Sequence, residues 1–201
     1  MKPRSKPSVE GLLEHLRART ERAIEKVSTW GPDSHRYYCP ECLTATVVLE
    51  EEKPRCPNCG AELRPVDEYF RAEYVRALRA FCEKASKIAE RIWPVLESWP
   101  RGIIGYLTGE GVVGIVFGEL GRGGYFNGLG LFLEGRGDVM AVLGIFSMSE
   151  GELDKLIELV RALREEGARG EVQVRADCPV PEEKMKSLGF EKIGAVWLLR
   201  L

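Results

Sequence analysis

The 201-residue chain is nearly free of side-chain amides: Asn58, Asn127 and Gln173 are all it has, against 29 basic and 31 acidic side chains. Amides are thermolabile, and their replacement by ionised groups is a thermophile-like bias that speaks of habitat and not of activity. Histidine is almost as scarce. His15 and His35 are the two present, so catalysis through an imidazole has few places to be built. No apolar run approaches the ~20 residues of a membrane span, and no membrane partner is expected. The basic N-terminus has no apolar stretch behind it, so no secretory signal is expected either. A strong net charge is missing too, and the formal value of −2 argues against bulk binding of polyanions. The charge is unevenly placed: residues 1–36 carry eight basic and five acidic side chains, residues 102–201 eleven and fifteen. A nucleic-acid contact therefore belongs near the N-terminal end.

Cysteine is where the sequence becomes specific. Cys39-Pro40-Glu41-Cys42 and Cys56-Pro57-Asn58-Cys59 are two Cys-x-x-Cys pairs with thirteen residues between them, room for a connecting β-hairpin. Each pair can wrap one side of a metal, and tetrahedral Zn2+ takes four thiolates at ~2.3 Å. Gly60 directly after the second pair suits the positive-φ turn that aims backbone N–H groups at a sulfur. Two disulfides, or a redox pair, are the competing readings. A redox motif needs one pair at a helix N-terminus, whereas both pairs here lie beside prolines in strand-and-turn sequence. Four thiolates leave no open coordination position, so this Zn2+ would organise the fold and not catalyse. Over about residues 37–66 the pattern resembles the zinc ribbons of transcription and translation proteins. That resemblance implies, as partner, nucleic acid or a ribosome- or RNA polymerase-type ribonucleoprotein or protein assembly. Cys82 and Cys178 have no obvious mates, and free thiols beside a metal site indicate a reducing cytoplasm.

Two helical stretches bracket the cysteines. Ser8 can cap a helix to about Thr29 in which Val9, Leu13, Leu16, Thr20, Ala23 and Val27 recur three or four apart. Trp30-Gly31-Pro32 ends it. Asp67 can cap a second helix with an unbroken seam of Tyr74, Leu78, Phe81, Ala85, Ile88 and Ile92, which Pro94 disturbs or ends. A strand is expected at Thr44–Leu49, with its turn at Glu51–Pro54. The two helices should form an antiparallel hairpin with the ribbon at its tip; the alternative is that each seam packs separately on the C-terminal part. From Gly102 the chain turns to glycine-punctuated strands at Ile103–Leu107, Val112–Phe117, Leu129–Leu133 and Val139–Phe146. Ser149 with Glu152 makes a capping box for a helix through Arg164. A strand (Glu171–Ala176), a short helix opened by Pro181 and a last strand (Lys192–Leu201) complete the order.

That order, ending in Leu188-Gly189-Phe190, resembles the GNAT (Gcn5-related) N-acetyltransferase family, in which a short helix finishes in a Leu-Gly-Phe turn before the last strand. The resemblance covers about residues 75–201 and implies a GNAT-like mixed sheet with helices. The family places an Arg/Gln-x-x-Gly-x-Gly/Ala loop after its fourth strand, whose N–H groups hold the cofactor pyrophosphate. Here that segment is Ser147-Met148-Ser149-Glu150-Gly151-Glu152, and two carboxylates stand where phosphates would lie, costing roughly 1 kcal/mol or more per close charge. The family's general-acid Tyr corresponds to Met185, which donates no proton, and its Asn earlier in the region to Asp177–Pro181. Acetyl-CoA is therefore not expected to be a ligand.

Three other features stand outside these patterns. Cys178, between a strand and a proline-started helix, suits a nucleophile or, with both histidines distant in sequence, a small buried hydrophobe. His35 stands close to Cys39 as an alternative ligand, though four thiolates suffice. Gly121–Gly128 is a glycine-rich loop with Arg122, Tyr125 and Phe126, suited to a phosphate or a base, or simply to a long hairpin connection. The expected architecture is α+β in four parts: a basic tail and helix (1–36), a zinc ribbon on Cys39, Cys42, Cys56 and Cys59 (37–66), a linking helix (67–100) and a GNAT-like α+β domain (101–201). The expected function is non-catalytic binding, with an atypical acetyl-CoA-dependent N-acyltransferase as the alternative.

Overall fold

The computed structural model describes residues 6–31, 35–48, 54–119 and 126–201. The first five residues of the basic tail, Pro32 of the expected helix stop, Leu49 of the expected strand, residues 51–53 of its turn and residues 121–125 of the glycine-rich loop lie outside them.

Helix α1 (Val9–Ser28) begins at Ser8, whose hydroxyl accepts from the Gly11 N–H at 3.1 Å. Its seam is buried as the spacing requires, with Leu12 added and Val9 only half covered. Helix α2 (Glu68–Glu97) starts at Asp67, whose carboxylate accepts from Phe70 N–H at 2.7 Å. It runs through Pro94 to Glu97, so of the two readings of the proline the one that ended the helix there does not hold. Proline lacks only its own N–H and clashes only with the preceding turn, so a last turn can follow it. That turn is closed by Ser98 N–H on the Pro94 carbonyl.

Helices α1 and α2 form the antiparallel hairpin, but the two packing alternatives are not exclusive. Leu12, Leu13 and Leu16 share one core with Phe81, Ile88 and Ile92 and with the sheet. At the far end Val27, Trp30, Phe70 and Ala77 join Tyr38, Leu43 and Val66 from the cysteine-rich segment. Each fully buried aliphatic or aromatic side chain contributes about 1.5–3 kcal/mol, so both ends of the hairpin are anchored.

The cysteine-rich segment forms a three-stranded antiparallel sheet, β1 (Arg36–Tyr38), β2 (Ala45–Val47) and β3 (Arg64–Pro65), in the order β2-β1-β3. The central strand β1 was not expected; at three residues it is too short for alternation to show. Tyr38 stacks on Phe70 with ring centroids 4.5 Å apart, which seats the segment on the hairpin.

The remainder is a seven-stranded mixed sheet. In chain order it holds β4 (Ile103–Gly109), β5 (Val112–Phe117), β6 (Asn127–Glu134), β7 (Asp138–Ile145), helix α3 (Leu153–Glu165), β8 (Arg169–Arg175), helix α4 (Glu182–Ser187), β9 (Glu191–Ile193) and β10 (Val196–Arg200). Spatial order is β4-β5-β6-β7-β8-β10-β9, with β7 and β8 parallel and the other neighbours antiparallel. The single last strand expected from the sequence is instead the hairpin β9–β10, because Gly194 turns at φ 60°. Gly189 of the Leu-Gly-Phe turn also has positive φ, 87°. Phe190 is buried there, while Leu188 is only half covered.

The upper turn of the sheet reaches back to the hairpin. Glu110, between β4 and β5, accepts from the Tyr74 hydroxyl at 2.9 Å and lies 3.7 Å from Lys26 Nζ. Burial, and then the Glu110 charge, push the Tyr74 phenol above its usual range.

Candidate metal centre

Two loops of the same construction face each other. In the first, Cys39 N–H donates to the Thr44 carbonyl at 2.9 Å and Leu43 N–H to the Cys39 carbonyl at 2.9 Å. In the second, Cys56 N–H donates to the Ala61 carbonyl at 2.8 Å and Gly60 N–H to the Cys56 carbonyl at 2.9 Å. Each ladder folds its Cys-x-x-Cys so that both sulfurs point the same way. The residue after each second cysteine takes positive φ, 53° at Leu43 and 74° at Gly60.

Glycine does this freely, and nothing stands within 4 Å of where a Gly60 side chain would go. Leucine in the left-handed region costs about 1–2 kcal/mol. Leu43 is buried against Tyr38, Val66 and Phe70, and that burial, worth about 1.5–3 kcal/mol, offsets the strain. The expected glycine was legible; its leucine counterpart was not, since leucine carries no turn signal.

The four Sγ atoms of Cys39, Cys42, Cys56 and Cys59 lie within 4.8 Å of one another. A tetrahedron with arms of ~2.3 Å has edges of ~3.8 Å, and Cys39 and Cys59 approach to 3.5 Å. That is well beyond the ~2.05 Å of a disulfide, and all six cysteines are free thiols. The four could hold a metal ion. Cys39 and Cys56 are buried, Cys42 half-buried and Cys59 exposed, so the cluster sits at the surface with its inner half covered by Leu63. His35 is exposed and stays out of it.

The thiols are set apart electrostatically. Backbone N–H groups of Cys59 and then Asn58 pull Cys56 down to about 6. The Cys59 sulfur, then burial, push Cys42 up to about 12, and burial raises Cys39 despite the Cys42 N–H at 3.4 Å. Four sulfurs this close ionise together only around a cation, which fits the donor set to a soft divalent metal.

The other sequence candidates are not brought to this site. Cys178 is half-buried and its thiol is raised, first by burial. His15 lies against Tyr106 on α1, with ring centroids 5.7 Å apart. Neither histidine stands among the groups that act on the Cys178 thiol.

The segment after β7 is closed upon itself. Buried Asn127 accepts from the N–H groups of Phe146 at 2.9 Å and Ser147 at 3.1 Å, and donates to the Ser147 carbonyl at 3.0 Å. Glu152 accepts from the Ser149 N–H at 2.8 Å and hydroxyl at 2.7 Å, completing the expected capping box. Glu150 is held by Lys184 of α4 at 3.1 Å. Met185 is fully buried. Asn127 was missed in the sequence, where its only mark is belonging to a set of three amides. Replacing Asn127 with Ala strips partners from two N–H groups and a carbonyl, and is expected to lower stability by about 2–4 kcal/mol in thermal or urea denaturation.

No protein-family model matches the chain, and neither the curated proteins nor the solved structures contain a significant match.

Proposed function

We propose that this chain is a non-catalytic binding module whose zinc ribbon docks on nucleic acid or on a ribosome- or RNA polymerase-type assembly, and whose GNAT-like domain does not transfer acetyl groups. Cys39, Cys42, Cys56 and Cys59 would hold the Zn2+. Its chemistry there is structural, because four thiolates saturate a tetrahedral ion. The observation that carries the reading is the closed four-sulfur cluster at a surface-exposed tip, anchored through Tyr38 and Leu43 to the helical hairpin.

The absence of acetyl transfer is supported by the segment after β7. The N–H groups a pyrophosphate would need are engaged by Asn127 and Glu152. Glu150 and Glu152 place negative charge at the start of α3, where an anion would be repelled. The order of four antiparallel strands, helix, strand, short helix and strands supports a GNAT-like fold, and fold alone carries no activity.

The test is calorimetric titration of the zinc-loaded protein with acetyl-CoA, beside metal analysis by atomic emission. One zinc per chain and no acetyl-CoA binding up to millimolar concentration are expected. Saturable micromolar binding would overturn the non-catalytic reading, and a metal-free chain with an intact ribbon would overturn the zinc assignment. Docking on an assembly is tested by affinity capture across a salt series, with loss of partners when the cysteines are replaced by serine.

A further inference from the structure

Among the described residues, the seven-stranded sheet is covered on one face only. Its buried residues alternate strictly along the strands: Val113, Ile115 and Phe117 in β5, Leu129 and Leu131 in β6, Val139, Ala141, Leu143 and Ile145 in β7. All of these belong to the core that α1, α2, α3 and the end of α4 share. None of the intervening residues on the opposite face is buried, and among the described residues no helix lies over them.

That open face has two unlike halves. The registers place Leu107, Gly114, Gly130 and Val142 in one row across β4–β7, and Gly105, Val116, Gly128 and Gly144 in the next. Neither row carries a charge across β4–β7; on β8 the first continues with Glu171 and the second with the neutral Gln173. The glycines are not gaps. A Cβ on Gly130 would meet the Phe132 ring at 2.6 Å, on Gly144 the Phe146 ring at 2.9 Å, and on Gly114 the Leu107 side chain at 3.0 Å. The large side chains therefore lie flat along the sheet over glycine. The result is a smooth apolar plane, with Leu107 58% and Phe146 44% exposed.

We infer that this plane is a self-association surface, on which a second copy of the chain packs face to face as a two-fold dimer. The β4–β7 half carries no cation, and on the β8–β10–β9 flank Arg169, Arg175 and Arg200 stand beside Glu171 and Glu191, so the face offers a polyanion no basic surface. A lipid surface is gripped by side chains that project, whereas those over the glycines lie flat. A flat apolar plane is matched by another flat apolar plane, and a second copy always supplies one of the same shape. Four strands at ~4.8 Å spacing and about six residues at ~3.3 Å give about 400 Å2 per copy for the apolar half alone. Two copies then cover about 800 Å2, short of the range of specific interfaces, and about 1,300 Å2, within it, once the β8–β10–β9 flank takes part, with Val196 and Leu198 beside Arg169, Glu171, Arg175 and Arg200.

Sedimentation equilibrium of the full zinc-loaded chain at micromolar concentrations tests this. A species of twice the 22.5 kDa chain mass is expected. Val142→Lys, in the middle of the plane, is expected to raise the dimer dissociation constant about 100-fold or more, since a two-fold contact carries each substitution twice. Leu107→Lys, on the exposed edge strand, provides the same readout should Val142→Lys fail to fold. Glu83→Lys, on the outer face of α2, is the control and should leave the dimer intact. A monomer throughout the concentration range, or a dimer unaffected by the folded lysine variants, would overturn the inference.

Discussion

Stripping the metal with a strong chelator is expected to unfold residues 37–66 and leave the seven-stranded sheet folded. Three short strands cannot stand alone: β1 and β2 have three residues each and β3 two, far below what makes a small sheet independently stable. Metal coordination by the four cysteines would supply what they lack, about 10–16 kcal/mol were the ion a structural Zn2+ at neutral pH. Beneath the cluster, among the described residues, Cys39, Cys56 and Leu63 alone form a buried group of their own. The loss should not spread far, because the core around Phe81, Ile88 and Ile92 rests on the sheet and on Leu12, Leu13 and Leu16. The join between the two is the cluster of Tyr38, Leu43, Val66 and Phe70, so the adjoining ends of α1 and α2 should loosen with the ribbon. Hydrogen exchange read segment by segment checks this. Protection should vanish in β1–β3, weaken near Val27 and Phe70, and persist in β5–β8. One cooperative loss of all protection would rule out a separable ribbon, and unchanged protection in β1–β3 would rule out metal as its organiser.

What was legible in the sequence follows from how local each determinant is. Ser8, Asp67 and the Ser149–Glu152 pair act within a single turn: the first two cap α1 and α2 directly, and the third opens a 3-10 turn (Glu150–Glu152) from which α3 continues. The cysteine cluster was legible because four ligands in two close pairs fix a site by spacing alone. What escaped depends on contacts distant in sequence. Leu43 tolerates positive φ only because Tyr38, Val66 and Phe70 cover it. Asn127 closes the segment after β7 across 19 and 20 residues of separation. The alternation in β5–β7 announced strands with one buried face, but not that every helix would choose the same face, which is a property of the crossovers and not of any strand.

Gly170→Ala is expected to be the most damaging single-methyl change in the sheet. Gly170 stands in the second pair of the parallel β7–β8 register, opposite Ala141, and its carbonyl accepts the Leu201 N–H at 2.9 Å. Its φ is 132°, and a Cβ there would lie 2.0 Å from the Ala141 carbonyl oxygen and 2.9 Å from that residue's backbone C and N. No rotamer relieves such a contact, since the opposing atoms are main chain held in a ladder. To admit the methyl, β8 must part from β7 at the one junction that joins the antiparallel half of the sheet to its C-terminal strands. Gly194 provides the comparison: its φ is 60° with nothing within 4 Å of a Cβ. There Gly194→Ala should cost only the conformational term, about 1 kcal/mol. Gly170→Ala adds the collision and should exceed about 4 kcal/mol. For a chain of this size that is a fall in Tm of roughly 8–16 °C, against roughly 2–4 °C for Gly194→Ala. If both variants melted within a few degrees of the parent, the close approach of β8 to β7 at Ala141 would be wrong. Because this junction is remote from the cysteines, Gly170→Ala should weaken the sheet while a ribbon loaded with metal keeps its own protection, the converse of chelation.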